Sequence, residues 1–392
     1  MRRWVALVMA LALLPWTALA GAPEALDAVF ERYDTLGACV AVFQNGRIVW
    51  VHCYGQVAPG AEAVTPETAF QVGSISKLVT GMALIQLVEN GCLGLDDPLG
   101  DALGFAVENP EYPGQPVTLR QLMTHTAGLR DSAAYDRALE GDIEPLDELL
   151  ESRFSFEPGI APGTRRQYSN FGGGLAGSVV EALSGQSLDE YAAEHLFEPL
   201  GIAAAYQPAL LPAQTPLADL YYMPSGRLAR ELKRDEPPFA GCDPLRHYTL
   251  SAGKLIISAP DLGRLLIALC DGGISGEARL LKLSSVAEML QPQNDRGSVS
   301  CQSDNGLFVN ILTDAQVQGR TLYGHGGKAN GMLCAAYFDP TDRTGAVMLT
   351  NGCRNDSEED GVGLLGREVL TLCYESVIGP DPVVEDPFLV SE

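Results

Sequence analysis

Three short groups of side chains carry the chemistry this chain could do. Ser74-Ile75-Ser76-Lys77 sets a hydroxyl and an ammonium three residues apart, and on a helix that spacing puts both on one face within side-chain reach. At a helix start the hydroxyl would also meet free backbone N–H groups and the positive end of the helix dipole. Those are the conditions for an activated nucleophile with a site for the negative charge of its transition state. Downstream, Tyr168 and Asn170 flank Ser169 in a loop rich in glycine and proline. A tyrosine close to a lysine can serve as general base, and an asparagine amide can hold a substrate. Finally, Gly324-His325-Gly326-Gly327 begins just before an expected strand, where Gly327 leaves room for a substrate backbone. A second Ser-x-x-Lys, Ser251-Ala252-Gly253-Lys254, has a glycine inside it and opens no comparable helical run.

The elements that must position these groups follow from the apolar pattern. Residues 78–88 are apolar on nearly every face, as in a helix buried all round, so Ser74 sits at or just before its N-terminus. Leu26, Val29, Phe30 and Tyr33 predict an earlier amphipathic helix. Strands are expected over 39–43 and 48–54 around the turn Asn45-Gly46. Thr118 begins a short helix over 118–123, and an acidic helix follows over 144–151. Residues 162–170 read as a turn-rich approach to Gly172-Gly173-Gly174 and a helix reaching about residue 183, with another over 188–196. Residues 204–247 hold seven prolines and little periodicity, which points to a lid or cleft wall. Helices over 261–270 and 284–290 precede strands over 306–313, 319–323, 332–338 and 346–350, and a final helix over 357–376.

Strands at both chain ends with helices between them predict an α/β (α+β) fold. One antiparallel sheet is built from both ends, flanked by helices, with a mostly helical lobe inserted. The expected division is an α/β lobe over 21–75 and 300–378, a helical lobe over 76–299 and a tail over 379–392. A cleft would form between the lobes.

Composition narrows the function classes. With 46% hydrophobic and 19% charged residues the chain is an ordinary globular one. A formal net charge of -24 argues against nucleic acid or an anionic lipid surface as partner. Met1-Arg2-Arg3, an apolar run over 4–14 and Thr17-Ala18-Leu19-Ala20 read as a secretory signal cleaved after Ala20. The expected mature protein is secreted or periplasmic and not inserted in a membrane. Nine cysteines leave at least one thiol free or paired between chains, and Cys39 and Cys53 could face each other across the first hairpin. With no C-x-x-C pair and five scattered histidines, neither a metal site nor a cofactor is expected.

Taken together and in order, Ser74-Ile75-Ser76-Lys77, Tyr168-Ser169-Asn170 and His325-Gly326-Gly327 resemble the three motifs of penicillin-recognising serine hydrolases. The likeness is to the group of class C β-lactamases, D-alanyl-D-alanine carboxypeptidases, D-aminopeptidases and esterases. Leu122-Met123-Thr124-His125-Thr126-Ala127-Gly128-Leu129 and Pro162-Gly163-Thr164 resemble accessory segments of that group, as do Glu198-Pro199-Leu200-Gly201 and Leu95-Asp96-Asp97-Pro98. The resemblance spans roughly residues 36–353. It implies Ser74 as the acylated nucleophile, Lys77 sharing its proton, and Tyr168 as base and then acid, with Lys77 an alternative base. Asn170 would position the substrate amide and Lys77, and the N–H groups of Ser74 and Lys328 would form the oxyanion hole. His125 would be structural and Ser251 a decoy.

The third motif carries His325 where β-lactamases carry a lysine. Histidine is mostly neutral at pH 7, so a substrate carboxylate would be held less firmly there, although Lys328 beside it could compensate. The expected activity is hydrolysis of a small ester or a D-amino-acid amide or peptide, including cell-wall-derived ones, through an acyl-enzyme on Ser74. A β-lactamase or D-Ala-D-Ala carboxypeptidase proper is the alternative. A non-catalytic binding member of the same fold is a third reading, favoured by the neutral third motif and the triple glycine.

Overall fold

The computed structural model describes residues 21–239, 241–293, 304–313, 319–354 and 362–378. The expected signal sequence, the tail beyond 378 and the first residues of the final helix lie outside these.

Helix α1 (Ala22–Arg32) leads into the hairpin β1 (Gly37–Gln44) and β2 (Arg47–Gly55). After β3 (Ala69–Gln71) comes α2 (Ile75–Glu89), buried along nearly its whole length as its all-round apolar sequence requires. The short α3 (Leu119–Met123) starts at Thr118 with a capping box closed by Gln121. The long α4 (Asn170–Ser184) follows. The proline-rich stretch forms β4 (Ala204–Ala205), β5 (Leu217–Ala218) and a hairpin of β6 (Leu220–Tyr222) and β7 (Arg227–Arg230). Next come β8 (Ile256–Ser258), α5 (Ala259–Cys270) and the small hairpin β9 (Ile274–Ser275) and β10 (Ala278–Arg279). The chain closes with β11 (Asp304–Asn305), β12 (Asn310–Leu312), β13 (Leu322–Ala329), β14 (Met332–Asp339), β15 (Thr344–Thr350) and α6 (Gly363–Cys373).

The main sheet is antiparallel in the order β11-β12-β13-β14-β15-β1-β2. Strand β1 is the seam: Ala38 pairs with Thr350 on one side and Tyr54 on the other. Alternation along β1 divides the core. Cys39, Ala41 and Phe43 face the layer holding α2, α4 and α5, whereas Ala38, Val40 and Val42 face α1 and α6. The sheet is thus covered on both faces and built from both chain ends, as its two strand-rich termini predict.

Three sequence expectations need correction. The strand expected over 306–313 is interrupted, because Phe308 takes a left-handed φ of 53° and the Gly306 N–H donates to the Val309 carbonyl to close a turn. Asn170, expected at the end of the turn-rich approach, already opens α4, so Gly172-Gly173-Gly174 lies inside the first turns of that helix. Gly324 to Gly327 lies within β13 rather than ahead of a strand. In both glycine-rich cases packing overrides the low propensity of glycine for regular structure.

Candidate active site

Ser74 occupies the N-cap position of α2 with helical angles (φ -62°, ψ -11°), and its hydroxyl makes no capping bond. That leaves Oγ available. One turn on, Lys77 is fully buried, and its Nζ donates to Ser74 Oγ at 3.1 Å, to Asn170 Oδ1 at 3.0 Å and to the Ala252 carbonyl. Three acceptors match the three N–H donors of an ammonium, which is what burying one demands. The Tyr168 hydroxyl lies 2.6 Å from Ser74 Oγ, and Lys77 Nζ sits 5.1 Å from the Tyr168 ring centre. Serine, lysine, tyrosine and asparagine therefore share one hydrogen-bonded group.

The triple glycine makes that group possible. A Cβ on Gly173 would lie 2.2 Å from Lys77 Cε, and one on Gly174 would lie 1.6 Å from the Tyr248 carbonyl oxygen. Only bare backbone lets α4 pass this close to the buried lysine.

Two residues hold the tyrosine segment. Gln167 N–H donates to the His125 carbonyl at 2.7 Å, and Ser169 N–H donates to His125 Nδ1 at 3.4 Å. The His125 ring packs 4.4 Å from the Tyr168 ring, so His125 grips the chain on both sides of Tyr168. Burial drives its imidazole well below its ordinary pKa, with Arg166 and Lys77 adding to the effect. Asp131 accepts from the Ser169 hydroxyl at 2.8 Å, the Asn170 amide at 2.9 Å and the Phe171 N–H at 2.8 Å. Sequence reasoning missed Asp131; its one signal is its place directly after the segment ending Gly128-Leu129-Arg130.

Strand β13 forms the opposite wall. A Cβ on Gly327 would lie 2.0 Å from the Val72 carbonyl oxygen, and one on Gly73 would lie 3.1 Å from the Lys328 backbone nitrogen. The strand therefore lies directly against the segment entering α2, with the Lys328 N–H beside Ser74. On β13, strand β12 pairs with Leu322 to Gly324, ahead of His325.

His325 stands apart from the substrate-facing role expected for it. It is buried, its Nδ1 donates to the Gly326 carbonyl at 2.6 Å, and it does not line the cavity beside Ser74. Burial lowers its pKa to about 3, with Lys77 and Arg166 adding repulsion. The imidazole is therefore neutral at pH 7 and turned into the interior. Ser251 has a structural role: its hydroxyl donates to the Gly173 carbonyl at 2.7 Å and accepts from the Gly177 N–H at 3.0 Å.

The cavity at Ser74 has a volume of about 310 Å³ and is walled by Gln71, Asn170, Thr249, Ala252 and Lys328. Three further lining residues, Arg230, Lys254 and Tyr135, were not singled out from sequence as site residues. No group of three His, Cys, Asp or Glu side chains suited to a metal occurs among the described residues. None of the described helices is long and apolar enough to cross a membrane.

Residues 23–370 match the family described as Beta-lactamase. The chain belongs to this family. It is also 30% identical over 339 residues to Penicillin-binding protein 4 of Amycolatopsis lactamdurans, covering 84% of each chain. Among solved structures, the octameric penicillin-binding protein homologue from Pyrococcus abyssi superposes with a TM-score of 0.71 at 22% identity, over 93% of this chain and 78% of that one. The D-amino acid amidase from Ochrobactrum anthropi gives a TM-score of 0.69 at 20% identity, over 92% and 99%. Membership of the Beta-lactamase family makes the protein a serine hydrolase of the β-lactamase and penicillin-binding-protein type.

Proposed function

We propose that this serine hydrolase, exported by its N-terminal segment, cleaves a small ester or a D-amino-acid amide or peptide through an acyl-enzyme on Ser74. The observation that carries this is the Ser74 hydroxyl held between Lys77 Nζ at 3.1 Å and the Tyr168 hydroxyl at 2.6 Å, at the mouth of a buried helix. In the reacting form the Tyr168–Lys77 pair is one proton short of a phenol and an ammonium, and Ser74 Oγ attacks the carbonyl carbon while its proton passes to that vacant place. The backbone N–H groups of Ser74 and Lys328 receive the negative charge that develops on the carbonyl oxygen. Tyr168 then returns the proton to the departing alcohol or amine. Water enters along the reverse path and releases the acid, so one bond is broken and one water consumed per cycle. The neutral, inward-turned His325 removes a cation from the place where a β-lactamase would use one, which supports ester or amide substrates over β-lactams. The fold shared with a D-amino acid amidase is consistent with this reading.

A fluorophosphonate probe tests it directly. Wild type should label and turn over short-chain esters or D-amino-acid amides faster than nitrocefin, while Ser74→Ala should do neither. Equal labelling of Ser74→Ala would show that the nucleophile lies elsewhere.

A further inference from the structure

The cavity beside Ser74 is positively charged although the protein is strongly acidic. Its lining includes Arg230, Lys254 and Lys328 and no carboxylate, while acids outnumber bases by 50 to 26 along the chain. The three cations come from three separate elements. Arg230 ends β7 and Lys328 lies on β13. Lys254 follows the segment whose Ala252 carbonyl accepts from Lys77.

Neither Arg230 nor Lys254 has an ion-pair partner among the described residues. Lys254 Nζ donates to the neutral Thr249 hydroxyl at 3.1 Å. Glu236 is felt electrostatically by both cations, yet it is exposed and lies outside the cavity wall. Burial and the neighbouring Arg230 push the Lys254 ammonium down to about 8, and burial lowers Arg230 too. Half-buried cations without a counter-charge are costly, and an anion placed between them would offset that cost. The second Ser-x-x-Lys thus divides: Ser251 clasps α4, and Lys254 faces the cavity.

We propose that this cavity is a subsite for a carboxylate carried on the acyl portion of the substrate, held by Lys254 and Arg230 with Lys328 at the rim. The proposal rests on the acyl-enzyme reading of Ser74. The side is set by Tyr168, which hands the proton to the leaving group and does not line the cavity. The leaving group therefore departs outside it and the acyl portion fills it. A free α-ammonium on that portion would face three like charges, so within the proposed ester and amide classes the site favours acyl groups that carry a carboxylate over those that carry an unblocked amine.

Three esters test the assignment: phenyl pentanoate, monophenyl glutarate with its carboxylate on the acyl chain, and meta-carboxyphenyl pentanoate with its carboxylate on the leaving group. The expected result is a kcat/KM for monophenyl glutarate at least about tenfold above that for phenyl pentanoate, typical of a charge-assisted contact. That ratio should collapse toward one in Lys254→Gln and in Arg230→Gln and be kept in Lys254→Arg. Equal rates on the first two esters, an unchanged ratio in both glutamine variants, or a preference that follows the leaving-group carboxylate would each overturn the proposal. Calorimetric binding to Ser74→Ala separates the subsite from the chemistry. Tighter binding of monophenyl glutarate than of phenyl pentanoate supports the subsite even if wild type turns over neither ester, and equal binding overturns it.

Discussion

Asp131 gathers three donors, from Ser169, Asn170 and Phe171, and through Asn170 it reaches Lys77. Asp131→Ala leaves those donors without their acceptor, at a cost of about 1–3 kcal/mol. A lowered melting temperature and a clear fall in kcat should accompany it, with Asp131→Asn intermediate because one acceptor oxygen survives. Thermal unfolding and ester kinetics on the two variants check this, and an alanine variant with wild-type kcat would show that Asn170 is held without Asp131. At this scale, legibility depended on spacing. Ser74 and Lys77 sit one helical turn apart, so their meeting could be read from the chain itself. Asp131 meets the tyrosine segment only through the folding of distant loops, and its position after Gly128-Leu129-Arg130 is all that sets it apart among 50 acidic residues. His325 was legible as a neutral group, but its inward orientation was not, since alternation along β13 depends on where that strand begins.

Among the elements, the crossing of α2 and α4 decides the site. Gly173→Ala places a methyl 2.2 Å from Lys77 Cε, whereas a Cβ on Gly172 meets nothing closer than 3.5 Å. Overpacking of this kind costs about 1–3 kcal/mol, and here the displaced side chain is the ammonium that holds Ser74. Gly173→Ala should therefore lose most of its ester hydrolysis and some of its urea resistance, while Gly172→Ala keeps both. Loss of activity in the two variants alike would point to helix propensity instead of the contact with Lys77. The buried helix, the first hairpin and the capped helix at Thr118 were readable because each follows a local rule of periodicity, turn or cap. The glycine runs were not, because their conformation is imposed by neighbours: Lys77 and Tyr248 for α4, and Val72 for β13.

For the molecule as a whole, two buried histidines tie stability to pH. His125 and His325 both have folded-state pKa values below the ordinary one, His325 at about 3. The unfolded chain therefore takes up protons first, near pH 6.5, and stability present above that pH is lost as it falls, by about 1.4 kcal/mol per pH unit for each unbalanced histidine. Asp189, raised to about 6 mainly by burial, acts in the opposite sense between its unfolded and folded values and offsets part of the loss below pH 6. Urea midpoints measured from pH 7 down to pH 4.5 should fall, and those of His325→Gln should fall less steeply; parallel curves would contradict the assignment. The seam at β1 has a consequence in time. Its partner β2 is made within a few residues, but Ala38 must wait for Thr350, about 300 residues later. At synthesis rates of roughly 5–20 residues per second, that is a delay of about 15–60 seconds. Throughout that interval β15 does not yet exist and one edge of β1 has no strand to pair with. A chain that cannot close its sheet until the last described strand has emerged keeps that edge open for most of the time it is being made.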